Sequence, residues 1–334
     1  MKILIAYGTR PEFLKLKKLI NIIPNADTLR ILQHGDIIDF GNPTFTLTIE
    51  KKCNSRLNNI FSEIFIKIED ILNNYDAILI QGDTATVAAC AISAFNLKKK
   101  IIYLESGLRS FDFNNPYPEE AYRQMVSRIA DINLCPTKLS ELNLKNENIL
   151  GKSFVIGNTS LDNLLEIKED CNYKNKVLIT LHRSENHLIL KNWYEQLDLI
   201  AEKYKNIEFI YPIHPNPLII EESKILKKVK IINPLPHADL LSLMKDCKLI
   251  ITDSGGIQEE ASFLNKKIIV CRKTTERPEG INSGHIFLCK DPIYLFLIFE
   301  SLIENFKINE ECPYGDGFSC NKILNILKKY TNEK

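Results

Sequence analysis

The sequence has almost no surplus of charge: 43 Lys and Arg stand against 42 Asp and Glu. That balance argues against a general nucleic-acid binder and against a binder of anionic membranes, since both need a broad positive field. A local basic pocket for a diphosphate is still compatible with it. Long apolar runs are also missing, and no stretch approaches the roughly 20 residues that a membrane-spanning helix needs. The opening MKILIAYGTR has one Lys and a short apolar run but no small-residue cleavage site, so it reads as a buried first strand rather than a signal peptide. The nine cysteines are scattered singly from Cys53 to Cys320, with no CxxC pair. Reduced thiols in a cytoplasmic protein are the expectation. The six histidines show neither HxxxH nor HExxH spacing, so no metal site is predicted. Internal repeats and low-complexity tails are absent.

What is present is a soluble globular profile, with 45% hydrophobic and 25% charged residues over 334 positions. That length exceeds one ordinary core and suits two domains. Short apolar runs alternate with amphipathic stretches. Lys2–Ala6, Leu29–Leu32, Ala77–Ile80, Ile101–Leu104 and Ile132–Leu134 read as strands. Helices are expected between them at 13–23, 56–72, 84–95 and 119–130. The pattern restarts after Asn163, with strands at Lys176–Thr180, Ile207–Tyr211, Val229–Ile232, Leu249–Thr252 and Lys267–Val270. Helices are expected there at 188–204, 238–245 and 256–264. The strands are continuous apolar runs, as parallel sheets covered on both faces require. The predicted fold class is α/β, with two Rossmann-like doubly wound domains facing a central cleft. Their expected extents are residues 1–168 and 169–334, with a terminal helix near 321–330 free to pack back on either.

Ligands of open α/β sheets bind beyond the carboxyl ends of the strands. Polar motifs follow predicted strands at five places. Gly8-Thr9-Arg10-Pro11-Glu12, with Lys15, opens a helix and places two cations near its N-terminus; a plain strand–helix turn is the bland alternative. In Gln81-Gly82-Asp83-Thr84, Asp83 is either a helix cap or a catalytic carboxylate. Glu105, in ESGLR, ends a buried strand and is expected beside Asp83, where two carboxylates would push their pKa values apart. In PYPEEAYRQ, Glu119 and Glu120 start a helix, and Glu119 could simply pair with Arg123 at i,i+4. The fifth, Asp253-Ser254-Gly255-Gly256-Ile257-Gln258-Glu259-Glu260, is a glycine-bearing helix start suited to phosphate, with Glu260 positioned to accept ribose hydroxyls. Arg277 in TTERPEG is a further candidate for the nucleotide. His214 in YPIHPNP and His182-Arg183-Ser184-Glu185-Asn186 also follow strands.

Taken together these motifs resemble the UDP-N-acetylglucosamine 2-epimerase family, non-hydrolysing bacterial type. GTRPE, QGDT, ESGLR, PYPEEAYRQ, GNTSLDNL, HRSEN, YPIHPNP, TDSGGIQEE, TTERPEG and PYGDG occur in that family's order from Gly8 to Gly317. Ten ordered matches are far more specific than any one of them. The resemblance implies a GT-B-like fold and interconversion of UDP-GlcNAc and UDP-ManNAc through loss and re-addition of UDP. It assigns Asp83, Glu105 and Glu119 as acid/base and cation-stabilising carboxylates. His214, Arg10 and Lys15 would hold or polarise the diphosphate, and Arg123 would support the carboxylates. Ser254, Gly255, Gly256, Glu260 and Arg277 would bind UDP. It implies no cofactor, since nothing is oxidised, and a cytoplasmic homodimer serving polysaccharide synthesis.

The chain departs from the family's pattern at several points. The usual QHR segment reads Gln33-His34-Gly35-Asp36 here, without the Arg. In the family that segment and the HR-EN motif help bind a second, activating UDP-GlcNAc, so the resemblance implies that Gln33, His182, Arg183 and Glu185 are a remnant of that site. Leu240 replaces a frequent aromatic, and the chain is shorter than usual relatives. Other expectations stay open: a hydrolysing 2-epimerase, a 2-epimerase of another UDP-sugar, a GT-B glycosyltransferase, or a UDP-sugar sensor.

Overall fold

The computed structural model describes residues 1–32, 41–168, 171–275 and 277–332. Two parallel sheets form among them. The first contains β1 (Ile3–Tyr7), β2 (Asp27–Leu32), β3 (Phe45–Thr48), β4 (Ala77–Gln81), β5 (Lys100–Leu104), β6 (Ile132–Cys135) and β7 (Lys152–Val155). Their order is β3-β2-β1-β4-β5-β6-β7. The second contains β8 (Lys174–Thr180), β9 (Glu208–Pro212), β10 (Lys230–Ile232), β11 (Cys247–Thr252), β12 (Lys267–Cys271) and β13 (Ile286–Cys289), in the order β10-β9-β8-β11-β12-β13. Two doubly wound α/β units were the expected fold class, and that is what forms. In each sheet the strand order reverses once, between β1 and β4 and between β8 and β11, creating the switch points where such sheets take ligands.

The continuous apolar runs are explained by burial on both faces. Side chains alternate along a strand, so Leu4 and Ala6 join Ile78 and Ile80 in one core. Ile3, Ile5 and Tyr7 join Ala77 and Leu79 in another. The first core is closed by helices Arg56–Lys67 and Ala85–Asn96, the second by Arg10–Ile22 and Ser319–Asn332. In the second sheet, Val177 and Ile179 of β8 pack with Trp193, Leu249 and Ile251. Burial pushes the thiols of Cys247 and Cys289 up to about 12, which keeps them unreactive at neutral pH. No described helix is long and apolar enough to cross a membrane.

The chain separates into Met1–Asn163 with Gly317–Lys334, and Leu164–Asp316. The division therefore comes before Lys168, and the terminal helix belongs with the first unit. Asp162 explains both. Its carboxylate accepts the Ser319 and Cys320 backbone N–H groups at 3.0 and 2.7 Å, capping helix Ser319–Asn332. Its carbonyl accepts Lys18 Nζ at 2.9 Å, and Cys320, Ile323 and Leu327 then bury against the core that holds Leu16 and Leu19. The GNTSLDNL motif is thus a structural anchor.

Three strands escape a reading of hydrophobic runs. β3, β7 and β13 are each four residues long and lie at sheet edges; threonines break the apolar run in β3, Lys152 and Ser153 break it in β7, and β13 is apolar but too short to stand out. The expected helix 56–72 divides into Arg56–Lys67 and Glu69–Leu72.

Lys266, at the amino end of β12, is fully buried. Its ammonium donates to the carbonyls of Asn172 and Lys245, the latter at 2.7 Å, and lies 4.0 Å from the Tyr173 ring centroid. Burial lowers its pKa from 10.5 to about 8. Between those two values the unfolded chain binds the extra proton, so folding gains stability as pH rises through that window. Wild type is therefore expected to gain stability relative to Lys266→Met from pH 8 to 10.5, read as the difference between their urea midpoints. A constant difference would show that Lys266 stays protonated.

Candidate active site

In the first unit, the loops after β1 and β4 flank the switch point. Thr9 caps helix Arg10–Ile22 and leaves Arg10 exposed at its first position. The cap of helix Ala85–Asn96 is Thr84, whose hydroxyl accepts Val87 N at 3.4 Å. Asp83 therefore has no capping task. Its Oδ2 instead accepts Arg123 Nη2 at 2.7 Å and Nε at 2.9 Å.

Glu105 follows β5, the strand next to β4, with Gln81 and Leu104 in register. It adopts φ of +65°, a left-handed conformation that costs a non-glycine residue energy and concentrates at functional sites. Both carboxylate oxygens accept Lys15 Nζ, at 2.5 and 2.7 Å, and Oε2 also accepts Gln81 Nε2. The two strand-end carboxylates thus have separate cations, Arg123 for Asp83 and Lys15 for Glu105. The rest of ESGLR is structural. Gly107 has φ of +88°, and a Cβ there would lie 2.2 Å from the Ser140 carbonyl oxygen. Arg109 is buried against Glu147, with contacts at 2.6 and 2.9 Å.

Glu119 and Glu120 open helix Glu119–Ile129 and take different parts. Glu120 is fully buried and accepts Ser110 N, Phe111 N, Gln124 Nε2 and Arg123 Nη1. Glu119 Oε2 is buried with no hydrogen-bond partner. Arg123 thus bonds to Asp83 and Glu120, in place of the simple helix-face pair with Glu119.

In the second unit, helix Gly255–Phe263 begins at the switch point after β11. Ser254 occupies the cap position, yet its side chain makes no cap bond. A Cβ on Gly256 would meet nothing within 4 Å, so open space lies over the first turn. A Cβ on Gly255 would lie 2.7 Å from Arg277 Nη1. Gly255 therefore leaves room for the Arg277 guanidinium, which is buried and bonded through Nε to Glu259 Oε1 at 2.7 Å. Tyr314, from PYGDG, donates to the Arg277 carbonyl at 3.2 Å. Glu260 Oε1 lies 2.9 Å from His237 Nε2.

Asp253 is wholly buried and turned inward. It accepts the backbone N–H of His182 and Arg183 and the Asn186 side-chain amide, at 2.9 to 3.1 Å. It thereby ties the loop after β8 to the loop after β11. That loop stacks the His182 ring on exposed His214, centroids 5.2 Å apart and planes 16° apart. Burial lowers the His182 pKa, His214 and Arg183 lower it further, and Asp253 opposes them, so the ring is neutral near pH 7. Arg183 is exposed, and Glu185 Oε1 accepts Arg272 Nε at 2.7 Å. Gln33 lies outside the described residues. Among the described residues no group of three His, Cys, Asp or Glu side chains is arranged to hold a metal ion.

The sequence profile of UDP-N-acetylglucosamine 2-epimerase matches residues 27–328. The chain belongs to the UDP-N-acetylglucosamine 2-epimerase family. It is 37% identical to the UDP-N-acetylglucosamine 2-epimerase of Campylobacter jejuni, with 100% of this chain and 99% of that protein aligned. The Neisseria meningitidis UDP-GlcNAc 2-epimerase structure, bound to UDP-GlcNAc, superimposes with a TM-score of 0.86 at 32% identity, covering 98% of this chain and 100% of that one. The Methanocaldococcus jannaschii UDP-GlcNAc 2-epimerase, in complex with UDP-GlcNAc and UDP, gives 0.83 at 34% identity over 98% and 100% of the two chains.

As a member of this epimerase family the chain is an enzyme acting on carbohydrates. Against that background the side chains that sequence reading passed over are Glu12, Gln81, Glu120 and Asp253. Each is buried and bonded within the candidate site's framework. Glu12 had a legible signal, the T-x-x-E capping box from Thr9. Gln81 and Asp253 had none, because their partners come from distant segments, and Glu120 bonds to nearby Ser110, Phe111, Arg123 and Gln124 through a loop that no periodic pattern announces.

Proposed function

We propose that the chain is a non-hydrolysing 2-epimerase that interconverts UDP-GlcNAc and UDP-ManNAc. The observation that carries this reading is the pair of strand-end carboxylates, Asp83 and Glu105, each held by its own cation. The C2 proton of a pyranose is not next to a carbonyl and is not acidic. It leaves once the anomeric C–O bond breaks, and a carboxylate takes it as UDP carries away the bonding electron pair. The product is a glycal with a C1–C2 double bond. Return requires a proton on the opposite face of C2 and re-attack of the UDP oxygen at C1. Acid/base groups on two faces and a firm hold on UDP are therefore both needed.

In this reading Asp83, Glu105 and Glu119 supply the carboxylates. The partnerless oxygen of Glu119 suits a group that meets its proton only when sugar is bound. Arg10, Lys15 and His214 act on the diphosphate, and Arg123 orients Asp83. The Ser254 hydroxyl and the N–H groups of the first turn after it take phosphate oxygens, and Glu260 takes the ribose. Arg277, beside Gly255 and oriented by Glu259, completes the UDP-binding set. GTRPE and TTERPEG favour retention of UDP over its replacement by water. The same reading implies a cytoplasmic homodimer.

Incubation with UDP-GlcNAc in D2O, followed by NMR, tests it. UDP-ManNAc carrying deuterium at C2 is the expected product. Steady release of free ManNAc and UDP would instead assign the hydrolysing reaction. No exchange with any UDP-sugar would end both readings.

A further inference from the structure

Glu12 stands third in helix Arg10–Ile22, as the glutamate of an ordinary capping box. Such a box needs one carboxylate oxygen. Glu12 Oε2 fills that role, accepting Gly8 N at 2.6 Å and Thr9 N at 3.1 Å. The other oxygen turns away from the helix. Oε1 accepts the Thr84 hydroxyl at 2.8 Å, from a loop 72 residues further on. The residue is only 3% exposed, and burial raises its pKa against the hydrogen bonds of Gly8, Thr84 and Thr9. A cap alone does not require such burial.

The position of this bond matters. The parallel ladder between β1 and β4 runs Ile3–Ala77, Leu4–Ile78 and Ile5–Leu79, and stops short of both loops. Beyond it Glu12 bridges the two loops, bonding Thr84 and lying 3.9 Å from where a Cβ on Gly82 would stand. We propose that Glu12 is a positioning residue of the epimerase reaction: its buried carboxyl straps the loop bearing Arg10 to the loop bearing Asp83. The strap fixes the distance between a diphosphate-binding cation and an acid/base carboxylate. This inference rests on the epimerase reading above.

The test compares steady-state kinetics of wild type, Glu12→Ala, Thr84→Val, their double variant and Thr84→Ser. Ala removes both carboxylate oxygens, where Gln would keep an amide N–H for the Thr84 hydroxyl to accept, and Val keeps the shape of Thr while removing the hydroxyl. Small misplacements of reacting groups cost up to about 100-fold, so each single variant is expected to lose roughly 30- to 100-fold in kcat with KM changed less than about threefold. Because both substitutions cut one strap, the double variant should lose no more than the worse single one. Thr84→Ser should restore most of the turnover. A merely structural role predicts lowered melting temperature with kcat per folded molecule intact. That result in either single variant, or losses that multiply in the double variant, would overturn the strap. If Glu12→Ala does not fold, Thr84→Val decides alone. A wild-type chain that exchanges no deuterium at C2 removes the epimerase reading and this inference with it. Normal wild-type exchange beside near-normal variant kcat overturns the inference only.

Discussion

Glu105→Gln is expected to lower deuterium exchange at C2 of UDP-GlcNAc by about 10³-fold or more, the scale of losing a positioned acid/base group. The substitution keeps size and shape but removes the charge. Lys15, which spans both Glu105 oxygens at 2.5 and 2.7 Å, then faces an amide instead of a counter-charge. Gln81 Nε2 can still find the remaining carbonyl oxygen, so the left-handed turn at Glu105 has reason to persist. The proposed UDP-holding groups Ser254, Gly255 and Gly256 belong to the other unit. Lys15, released from Glu105, stays available to the diphosphate, so UDP affinity by calorimetry should not fall, as for loss of an interaction specific to the chemical step. Exchange above about a tenth of wild type would remove Glu105 from the acid/base groups, since such groups contribute at least ~10²-fold.

Asp253→Ala should produce the largest loss of stability in the second unit. Three donors, His182 N, Arg183 N and Asn186 Nδ2, converge on the carboxylate and would lose it together. Orphaned buried donors cost about 1–3 kcal/mol each, and the coupled loss should total about 3–5 kcal/mol. Asn186 also bonds the Cys271 carbonyl and accepts Trp193 Nε1, so the disturbance reaches β12 and the core. UDP binding should fail with it, because the loops after β8 and β11 lose their tie. Urea unfolding with and without UDP reads both effects. A cost below about 1 kcal/mol would mean that water replaces the carboxylate without penalty.

These two cases show what a linear reading can and cannot reach. The central strands were legible because burial on both faces writes a continuous apolar run, as in ILIAY of β1. The edge strands β3 and β7 were not, because polar residues break that run in FTLT and KSFV, and β13, IFLC, is too short to stand out. Asp83 and Glu105 were legible as polar residues at the ends of buried strands. Asp253 sits in the same kind of position and would be read the same way, yet its partners turn it into an internal tie. Nothing within a few residues of Asp253 signals Asn186, 67 positions earlier. The Glu12–Thr84 bond is hidden for the same reason. Local sequence names the polar groups at a switch point, and the long-range pairings decide which face the ligand and which hold the frame.

The Asp162 anchor bears on how the chain is made. Residues 317–332 are synthesised after the whole of the second unit, yet they cover one face of the first. Until they arrive, Leu16 and Leu19 on helix Arg10–Ile22 lack the cover of Ile323 and Leu327. Domains tend to fold in order of synthesis, but here the first can only partly close on the ribosome. Its completion is deferred to the moment when Asp162 captures the N–H groups of Ser319 and Cys320, so finishing the first unit also certifies that the second has been made.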